Sequence, residues 1–430
     1  MAATSNNIIT LRRHDLDNLR TFLTGLVTVH HTSLAYGGVG SWKVKSACFA
    51  GNSPVLMGFN IFDQSFFMGM FFWISGRVSA QSLSKTSPSA FIKSKLLRLG
   101  APALVYSYAI DPMMRAAMLT SWNLESLRAS VIASWTTPHG LRGPVWYIGT
   151  MLAFDVTAAI ATKIGWTTTT KGDKERSRIY GLLCRYGWIG VAASSFLIRL
   201  WYPVGKTIPI LSLQPAFLSQ YVYSYLLGAV SYKEQQPRIY APFETMDASV
   251  DRTPGRTEKE STQSTRSQDG LMLTPALVIS LSTMLLIFLP GLLISPDSWL
   301  DWTIKHFPGG WNWTALIYAI WNEFSFAVTA PALMAYFQRH YSQATKSSPF
   351  SARASYAAFL LHTPVIIGMT VLVDRLLCPQ GTAPAWMNSG VWQMLGPVAM
   401  TLGAGLLSAY ASFEIAGKAL SWIPGLKNII

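Results

Sequence analysis

The first long apolar segment of the chain covers residues 19–36, with the sequence LRTFLTGLVTVHHTSLAY. A helix that crosses a membrane needs about 20 mostly apolar residues, and this segment has that length and composition. It also carries Arg20 and two adjacent histidines, His30 and His31. Because ionisable side chains inside a membrane are costly and usually serve a function, the segment predicts both a membrane helix and a site.

Nine further apolar segments follow, separated by polar loops, and predict an all-α, polytopic membrane protein with about ten transmembrane helices. Asp111 and Pro112 interrupt one of them and predict a kink. Four other charged side chains are expected near the membrane surface, which long side chains can reach: Asp63, Arg77, Arg185 and Arg199. The nine segments are residues 59–81, 99–119, 143–162, 182–202, 215–232, 271–293, 313–336, 354–373 and 391–413.

Composition separates this chain from several classes of soluble protein. Half of the 430 residues are hydrophobic and 13% are charged, whereas soluble domains carry about 25% charged residues. The apolarity excludes a disordered chain. The three cysteines exclude a disulfide-rich scaffold and a cysteine-rich zinc module. A net charge of +14 is typical of nucleic-acid binding in a soluble protein, but in an apolar chain it indicates basic cytosolic loops.

The positions of the basic residues support the membrane explanation. With the N-terminus in the cytosol, the cytosolic segments hold 22 Lys and Arg residues and the opposite segments hold 7. The positive-inside rule then favours both termini in the cytosol. This predicts a cytosolic N-terminus 1–18, a transmembrane domain 19–413 and a cytosolic tail 414–430. The polar segment 233–270 is expected to be a disordered cytosolic loop, and no nucleic-acid partner is predicted.

Two of the three cysteines, Cys48 and Cys378, fall on the side opposite the cytosol in this topology. A disulfide between them can form there. The alternative is two free thiols, which is the interpretation that the sequence alone favours.

Spacing on the first helix places Arg20 and His31 on one face. An α-helix turns about 100° per residue, so these two residues lie within about 20° of each other and about 16 Å apart along the axis, while His30 points about 80° away. Asp17 precedes Arg20 by three residues and can pair with it. Imidazole is the commonest general base, which makes His31 the candidate base. The alternatives are histidines that only bond between helices and an arginine that only reaches lipid headgroups.

This helix resembles the first helix of the acyltransferase-3 family of integral membrane O-acyltransferases, in which ten residues separate an arginine from a histidine. Five further blocks resemble the family in the right order, so that the resemblance covers residues 14–411, and the overall look is closest to fungal members. The blocks are FFMGMFFWISGRVSA with Ser75, KSKLLRLGAPAL with Lys95 and Arg98, GPVWYIGTMLAFD with Trp146 and Tyr147, WNEFSFAV with Glu323, and SARASYAAFLLHTPVII with Tyr356 and His362.

The resemblance implies transfer of an acyl group, with acetyl-CoA as the donor substrate, to a hydroxyl of a small molecule such as a fungal secondary metabolite. It implies that His31, Arg20 and Glu323 are catalytic. His31 acts as a base or through an acyl-histidine intermediate, and Glu323 orients the imidazole or binds the acceptor. No metal and no bound cofactor are implied. The expected substrate-binding residues are Asp17, Ser75, Lys95, Arg98, Trp146, Tyr147, Tyr356 and His362.

The expected location is the endoplasmic reticulum or another endomembrane, with the lipid bilayer as the surroundings. A transporter or flippase for a polar or lipidic solute is the alternative function, because ten spans with charges inside the membrane fit it as well. Transporters often contain inverted repeats and paired broken helices, and the sequence shows neither. A non-catalytic sensor or scaffold is a third function, and it predicts that Arg20 and His31 tolerate substitution.

Overall fold

A computed structural model describes most of the chain as helices joined by turns. The described residues are 13–49, 51–119, 124–136, 140–165, 173–234, 272–344, 349–384, 387 and 389–422. Within these ranges the chain contains no β-strand, and the all-α prediction is confirmed. Nearly all of the predicted loop 233–270, most of the N-terminal segment 1–18 and about half of the tail 414–430 lie outside the described residues.

The long helices broadly coincide with the predicted apolar segments, whereas three shorter helices, over residues 88–95, 124–136 and 299–306, lie in segments predicted to be loops. The first part of the chain contains α1 (His14–Ala35), α2 (Pro54–Gln64), α3 (Phe67–Leu83), α4 (Pro88–Lys95), α5 (Ala101–Val105), α6 (Asp111–Leu119), α7 (Leu124–Thr136), α8 (Val145–Lys163), α9 (Asp173–Arg199) and α10 (Leu218–Glu234). The second part contains α11 (Met272–Ile294), α12 (Trp299–His306), α13 (Trp313–His340), α14 (Ser355–Leu377) and α15 (Gly390–Trp422).

Six stretches of helix in the described residues are long and apolar enough to cross a membrane. The chain is therefore a polytopic, helical membrane protein. The total of ten spans and the cytosolic position of both termini stay predictions. The six stretches are Pro54–Leu83, Val145–Lys163, Arg178–Arg199, Met272–Ile294, Ser355–Leu377 and Gly390–Trp422.

The polar helix α1 lies inside the bundle, where α2, α3, α13, α14 and α15 all contact it. Leu19, Leu23 and Val27 recur every four residues, so they share one face of α1, and each is at most 1% exposed. On another side of α1, Gly405 of α15 packs closely against the backbone of Val29. A Cβ on Gly405 would be only 3.3 Å from the Val29 Cα. This interior position keeps the ionisable groups of α1 away from lipid.

Two glycines let α3 and α10 pack backbone against backbone. A Cβ on Gly76 would be 2.0 Å from the carbonyl oxygen of Tyr225, and a Cβ on Gly228 would be 2.0 Å from that of Trp73. Small residues at such contacts allow the closest approach of membrane helices. The contact fixes the position of Ser75, the residue before Gly76.

The helix departs from α-helical geometry just before Asp111 and Pro112, where the sequence predicts an interruption. A π-helical turn, Tyr106–Ile110, directly precedes α6. Pro112 has no N–H to donate, so the carbonyl oxygen of Tyr108, four residues earlier, lacks its helical partner. The indole Nε1 of Trp135 donates to that oxygen at 2.8 Å.

Two of the four charged side chains expected near the membrane surface are instead buried. Asp63 is 1% exposed and Arg199 is fully buried, so the prediction is wrong for both. Each has a partner inside the protein that replaces water: Asp63 pairs with His30, and the guanidinium of Arg199 lies over the ring of Tyr318 at 4.5 Å.

Candidate functional site

His31 lies where α1 meets α14, and its closest polar partner is a second histidine. Its Nδ1 is 2.8 Å from Nε2 of His362, and the indole of Trp42 stacks on its ring with 4.6 Å between centroids. His362 is fully buried, and its Nδ1 lies 2.5 Å from the carbonyl oxygen of Phe359. The fold therefore brings together two predicted site residues that are 331 positions apart.

His30 has a different set of partners. Its Nδ1 is 2.9 Å from both carboxylate oxygens of Asp63, at the end of α2, and the amide nitrogen of Asn60 is 3.2 Å from the same nitrogen. Helical phase predicts that His30 and His31 point in different directions, and their partners on different helices agree with that. His30 is thus tied to a buried carboxylate, whereas His31 is tied to a neutral polar group.

A cavity of about 690 Å³ opens beside His31 and is called here the histidine cavity. Trp146, which the sequence predicts as a substrate-binding residue, lines it together with Lys43 and Thr363. Among the described residues, no acidic side chain lines this cavity. Much of its wall is aromatic, including Trp42, Phe67, Phe217, Tyr221 and Tyr318. The lining suits an apolar, ring-containing molecule with few polar groups.

A second cavity, of about 270 Å³, lies toward the beginning of α1 and is called here the arginine cavity. Its lining comes from α1, α3, the end of α4 with the turn after it, α8 and α14. Six of the predicted site residues line it: Arg20, Ser75, Lys95, Arg98, Tyr147 and Tyr356. The fold thus gathers most of the family-like residues around one space.

The cations of the arginine cavity differ in how far they are paired. Arg20 donates to Asp17 at 3.1 Å, so the predicted pair is present, and to the carbonyl oxygen of Ala352 at 3.2 Å. Lys95 forms an ion pair of 2.8 Å with the buried Asp155. Within the described part of the chain, Arg98 has no hydrogen bond or ion pair, and it is exposed. Arg98 is therefore the cation with all its donors available to an anion.

Among the described residues, Phe359 alone lines both cavities. Its ring contacts those of Phe71 and Tyr147, with centroid distances of 5.9 and 5.6 Å. Tyr147 is held in turn by a 2.6 Å hydrogen bond between its hydroxyl and that of Ser75. Phe71, Tyr147 and Phe359 form an aromatic triad, and all three of its members line the arginine cavity.

Glu323 is buried on α13 and lines neither cavity. Its carboxylate accepts hydrogen bonds from the amides of Asn322 at 2.8 Å and Gln220 at 3.0 Å. It also attracts the guanidinium of Arg199, which makes no hydrogen bond to any described residue. Among the described residues, Glu323 makes no direct contact with His31 that would support its predicted role in catalysis.

A disulfide joins the loop that follows α1 to the C-terminal end of α14. Cys48 and Cys378 form a disulfide, with 5.8 Å between their Cα atoms. The interpretation as two free thiols is wrong, because the fold brings two loops that are distant in sequence to the same place. The bond fixes the loop that carries Trp42 to the helix that carries His362.

Polar bonds hold the same loop at other points. The carboxylate of Asp374 accepts from the Ser46 hydroxyl at 2.5 Å and from the Ala47 N–H at 2.8 Å. Lys45 donates to the carbonyl oxygen of Leu34 at 2.6 Å, at the end of α1. Burial lowers the pKa of the Lys45 amino group. These bonds make the loop a fixed part of the wall of the histidine cavity.

Replacing Cys48 with serine is expected to lower the stability of the purified protein by about 3 kcal/mol, because a disulfide that closes a long loop restricts the unfolded chain. The measurement is thermal unfolding in detergent with and without reductant. Cys184→Ser is the control, because Cys184 is a free thiol and its loss should leave the response to reductant unchanged. Three reactive thiols in the unreduced, denatured wild-type protein would contradict the bond.

Sequence reasoning missed Trp42, Asp63 and Phe359. Trp42 lies in a loop, where no helical phase relates it to His31. Asp63 was placed at the membrane surface because the sequence did not show its partner. For Phe359 the sequence contains one indication of a place in the site: it lies three residues before His362 and so one helical turn from it.

Comparison with known proteins identifies the family. The family model Acyl_transf_3, described as an acyltransferase domain, matches residues 13–413. No curated protein and no solved structure is significantly similar to the chain. The matched range contains both cavities and every predicted site residue. Because the match covers nearly the whole chain, this integral membrane protein belongs to the acyltransferase-3 family.

Proposed function

We propose that the protein transfers an acyl group from acyl-CoA in the arginine cavity to the hydroxyl of a small molecule in the histidine cavity, with His31 as the general base. Acetyl is the acyl group that we propose. The observation that carries this proposal is the placement of two unlike cavities along α1, with Arg20 lining one and His31 lining the other. A two-substrate reaction needs such a pair of sites.

The chemistry of the arginine cavity supports acyl-CoA as the donor. CoA carries several phosphates, which guanidinium groups bind well, and Arg20 and Arg98 both line this cavity. A volume of about 270 Å³ suits a slender thioester arm rather than a whole nucleotide. The nucleotide would therefore stay at the mouth near the exposed Arg98, while the thioester reaches the aromatic triad.

The reaction that we propose balances without a further reactant. His31 takes the proton of the acceptor hydroxyl while the oxygen forms a bond to the thioester carbonyl carbon. The carbon–sulfur bond then breaks, and the proton passes from the imidazolium to the departing thiolate. General base catalysis of this kind contributes a factor of about 10² to 10⁴.

The histidine cavity supports a hydroxylated, largely apolar acceptor with aromatic or other flat rings. The first candidate is a secondary metabolite of the kind that fungal members of the family acylate. We also propose that the arginine cavity faces the cytosol and that the protein lies in the endoplasmic reticulum or another endomembrane. The excess of basic residues supports this orientation. So does the disulfide at the opposite end, since disulfides persist in oxidising compartments.

The test uses the purified full chain in lipid nanodiscs with radiolabelled acetyl-CoA. Slow release of CoA thiol without an acceptor, and faster release with one, is the expected result. Transport of label across proteoliposomes without thiol release would contradict the proposal and favour the transporter or flippase. Metabolite profiling of a deletion strain then identifies the acceptor as the compound that accumulates without its acyl group.

Replacing Arg98 with alanine is expected to raise KM for acetyl-CoA roughly tenfold and to leave kcat unchanged. A hydrogen bond to a charged group contributes about 1.5 kcal/mol, and a contact made equally in the ground and transition states changes KM alone. Steady-state kinetics measure both constants. Lys93→Ala is the matched control, because Lys93 is exposed on α4 and does not line the cavity. An unchanged KM in the Arg98 variant would exclude this contact.

A further inference from the structure

We infer that His362 is a positioning residue that fixes the tautomer of His31, so that the bare Nε2 of His31 is available to the substrate. This inference rests on the proposed function, because it concerns the base of that reaction. The juxtaposition that carries it is a chain of two hydrogen bonds. It runs from Nδ1 of His31 to Nε2 of His362, and from Nδ1 of His362 to the carbonyl oxygen of Phe359.

The position of each proton follows from the group at the end of these two hydrogen bonds, the carbonyl oxygen of Phe359. The carbonyl oxygen of Phe359 can only accept, so the proton between it and His362 belongs to Nδ1 of His362. A neutral imidazole carries one N–H, which leaves Nε2 of His362 as an acceptor. The hydrogen bond of 2.8 Å between the rings therefore needs the proton on Nδ1 of His31. Nε2 of His31 is left with its lone pair.

The surroundings of His31 agree with this assignment. Nε2 of His31 has no hydrogen-bond partner among the described residues, and His31 lines the histidine cavity. The stacked indole of Trp42 and the near-parallel ring of His362, which is hydrogen-bonded edge to edge with His31, restrict rotation of the imidazole. The hydroxyl of Thr363 is 3.4 Å from Nε2 of His362 and can donate to that nitrogen when it is an acceptor.

The arrangement resembles the orienting bond of a catalytic triad, in which the third group holds the histidine in the tautomer that leaves the reactive nitrogen bare. Here a neutral imidazole backed by a peptide carbonyl takes the place of the carboxylate. When His31 becomes an imidazolium, its Nδ1–H remains bonded to His362, which stabilises the new charge. Among the described residues the buried carboxylate of Asp63 bonds to His30 and not to His31, so the orienting partner of the base is itself uncharged.

The kinetic test compares His362→Leu with His362→Gln. The amide oxygen of glutamine reaches about the position of the imidazole Nε2 and can accept from Nδ1 of His31, whereas leucine cannot. We expect His362→Leu to lower kcat at least about 30-fold with KM changed less than twofold, and His362→Gln to restore kcat to within about fivefold of the wild type. Equal kcat in wild type and His362→Leu overturns the inference. Equal losses in both variants also overturn it, because they indicate a structural role.

A second measurement needs no turnover. Nitrogen-15 NMR of histidine-labelled protein in bilayers distinguishes a protonated Nδ1 from a protonated Nε2, and His31→Gln identifies the His31 signals by their loss. A protonated Nδ1 with a bare Nε2 is expected for His31, and the reverse overturns the inference. Absence of CoA release by the wild type would overturn acyl transfer but not this tautomer, so the two failures are distinguishable.

Discussion

Replacing His31 with alanine is expected to lower kcat for acyl transfer by a factor of about 10² to 10⁴ while the protein remains folded. The loss follows because His31 is the base of the proposed reaction, and the neighbouring imidazoles of His30 and His362 are held by other partners. His362 uses both of its ring nitrogens, and His30 is tied to Asp63. Folding should survive, since Thr363 can donate to the acceptor nitrogen of His362 that the substitution leaves.

The adjacent variant His30→Ala gives the contrast. It leaves the buried carboxylate of Asp63 without its partner, which is a change that typically costs about 3–5 kcal/mol. We therefore expect poor recovery of folded protein from His30→Ala and normal recovery from His31→Ala. His340→Ala, at the end of α13 and outside both cavities, is the control for the loss of a histidine. Wild-type kcat in His31→Ala would show that His31 is not the base.

Replacing Glu323 with leucine is expected to destabilise the protein by about 3–5 kcal/mol. Arg199 is fully buried, stacks on aromatic rings and makes no hydrogen bond to any described residue. Among the described residues, Glu323 is the carboxylate that attracts it, and without that carboxylate the charge of Arg199 is uncompensated. The double variant Arg199→Leu/Glu323→Leu should regain most of the stability, because it removes both charges together.

Thermal unfolding of the four proteins in detergent, taken as a double-mutant cycle, measures this coupling. The kcat of the recovered double variant then tests the predicted catalytic role of Glu323. Near-normal kcat would assign Glu323 to stability. A stable Glu323→Gln variant with a large loss of kcat would instead support action on the acceptor. Additive losses of stability would show that Glu323 and Arg199 do not interact.

How much of the site the sequence predicts depends on the distance between partners along the chain. Helical phase relates Arg20 to His31 and Asp17 to Arg20, because these pairs lie on one helix. The resemblance to the family also indicates Lys95 and Arg98, which the fold brings to the same cavity as Arg20. All of these relations are local or follow from a motif.

Contacts between helices distant in sequence lie beyond such reasoning. The bond from His31 to His362, the pair of His30 with Asp63 and the attraction between Glu323 and Arg199 each depend on how the bundle packs. The disulfide is of the same kind, since two cysteines in separate loops carry no periodicity. The six helices that are long and apolar enough to cross a membrane were predictable from the sequence, because lipid requires an apolar composition in the helices that it surrounds.

The disulfide between Cys48 and Cys378 also bears on the biosynthesis of the protein, because its cysteines are 330 positions apart. A ribosome has translated most of the chain before the second cysteine exists, and α14, with Phe359 and His362, is made just before it. Until then α1 carries its arginine and histidine without a partner for the imidazole and without the complete aromatic triad. If the proposed function is right, we expect a nascent or truncated chain to be unable to consume acyl-CoA, with activity appearing only when synthesis is almost complete.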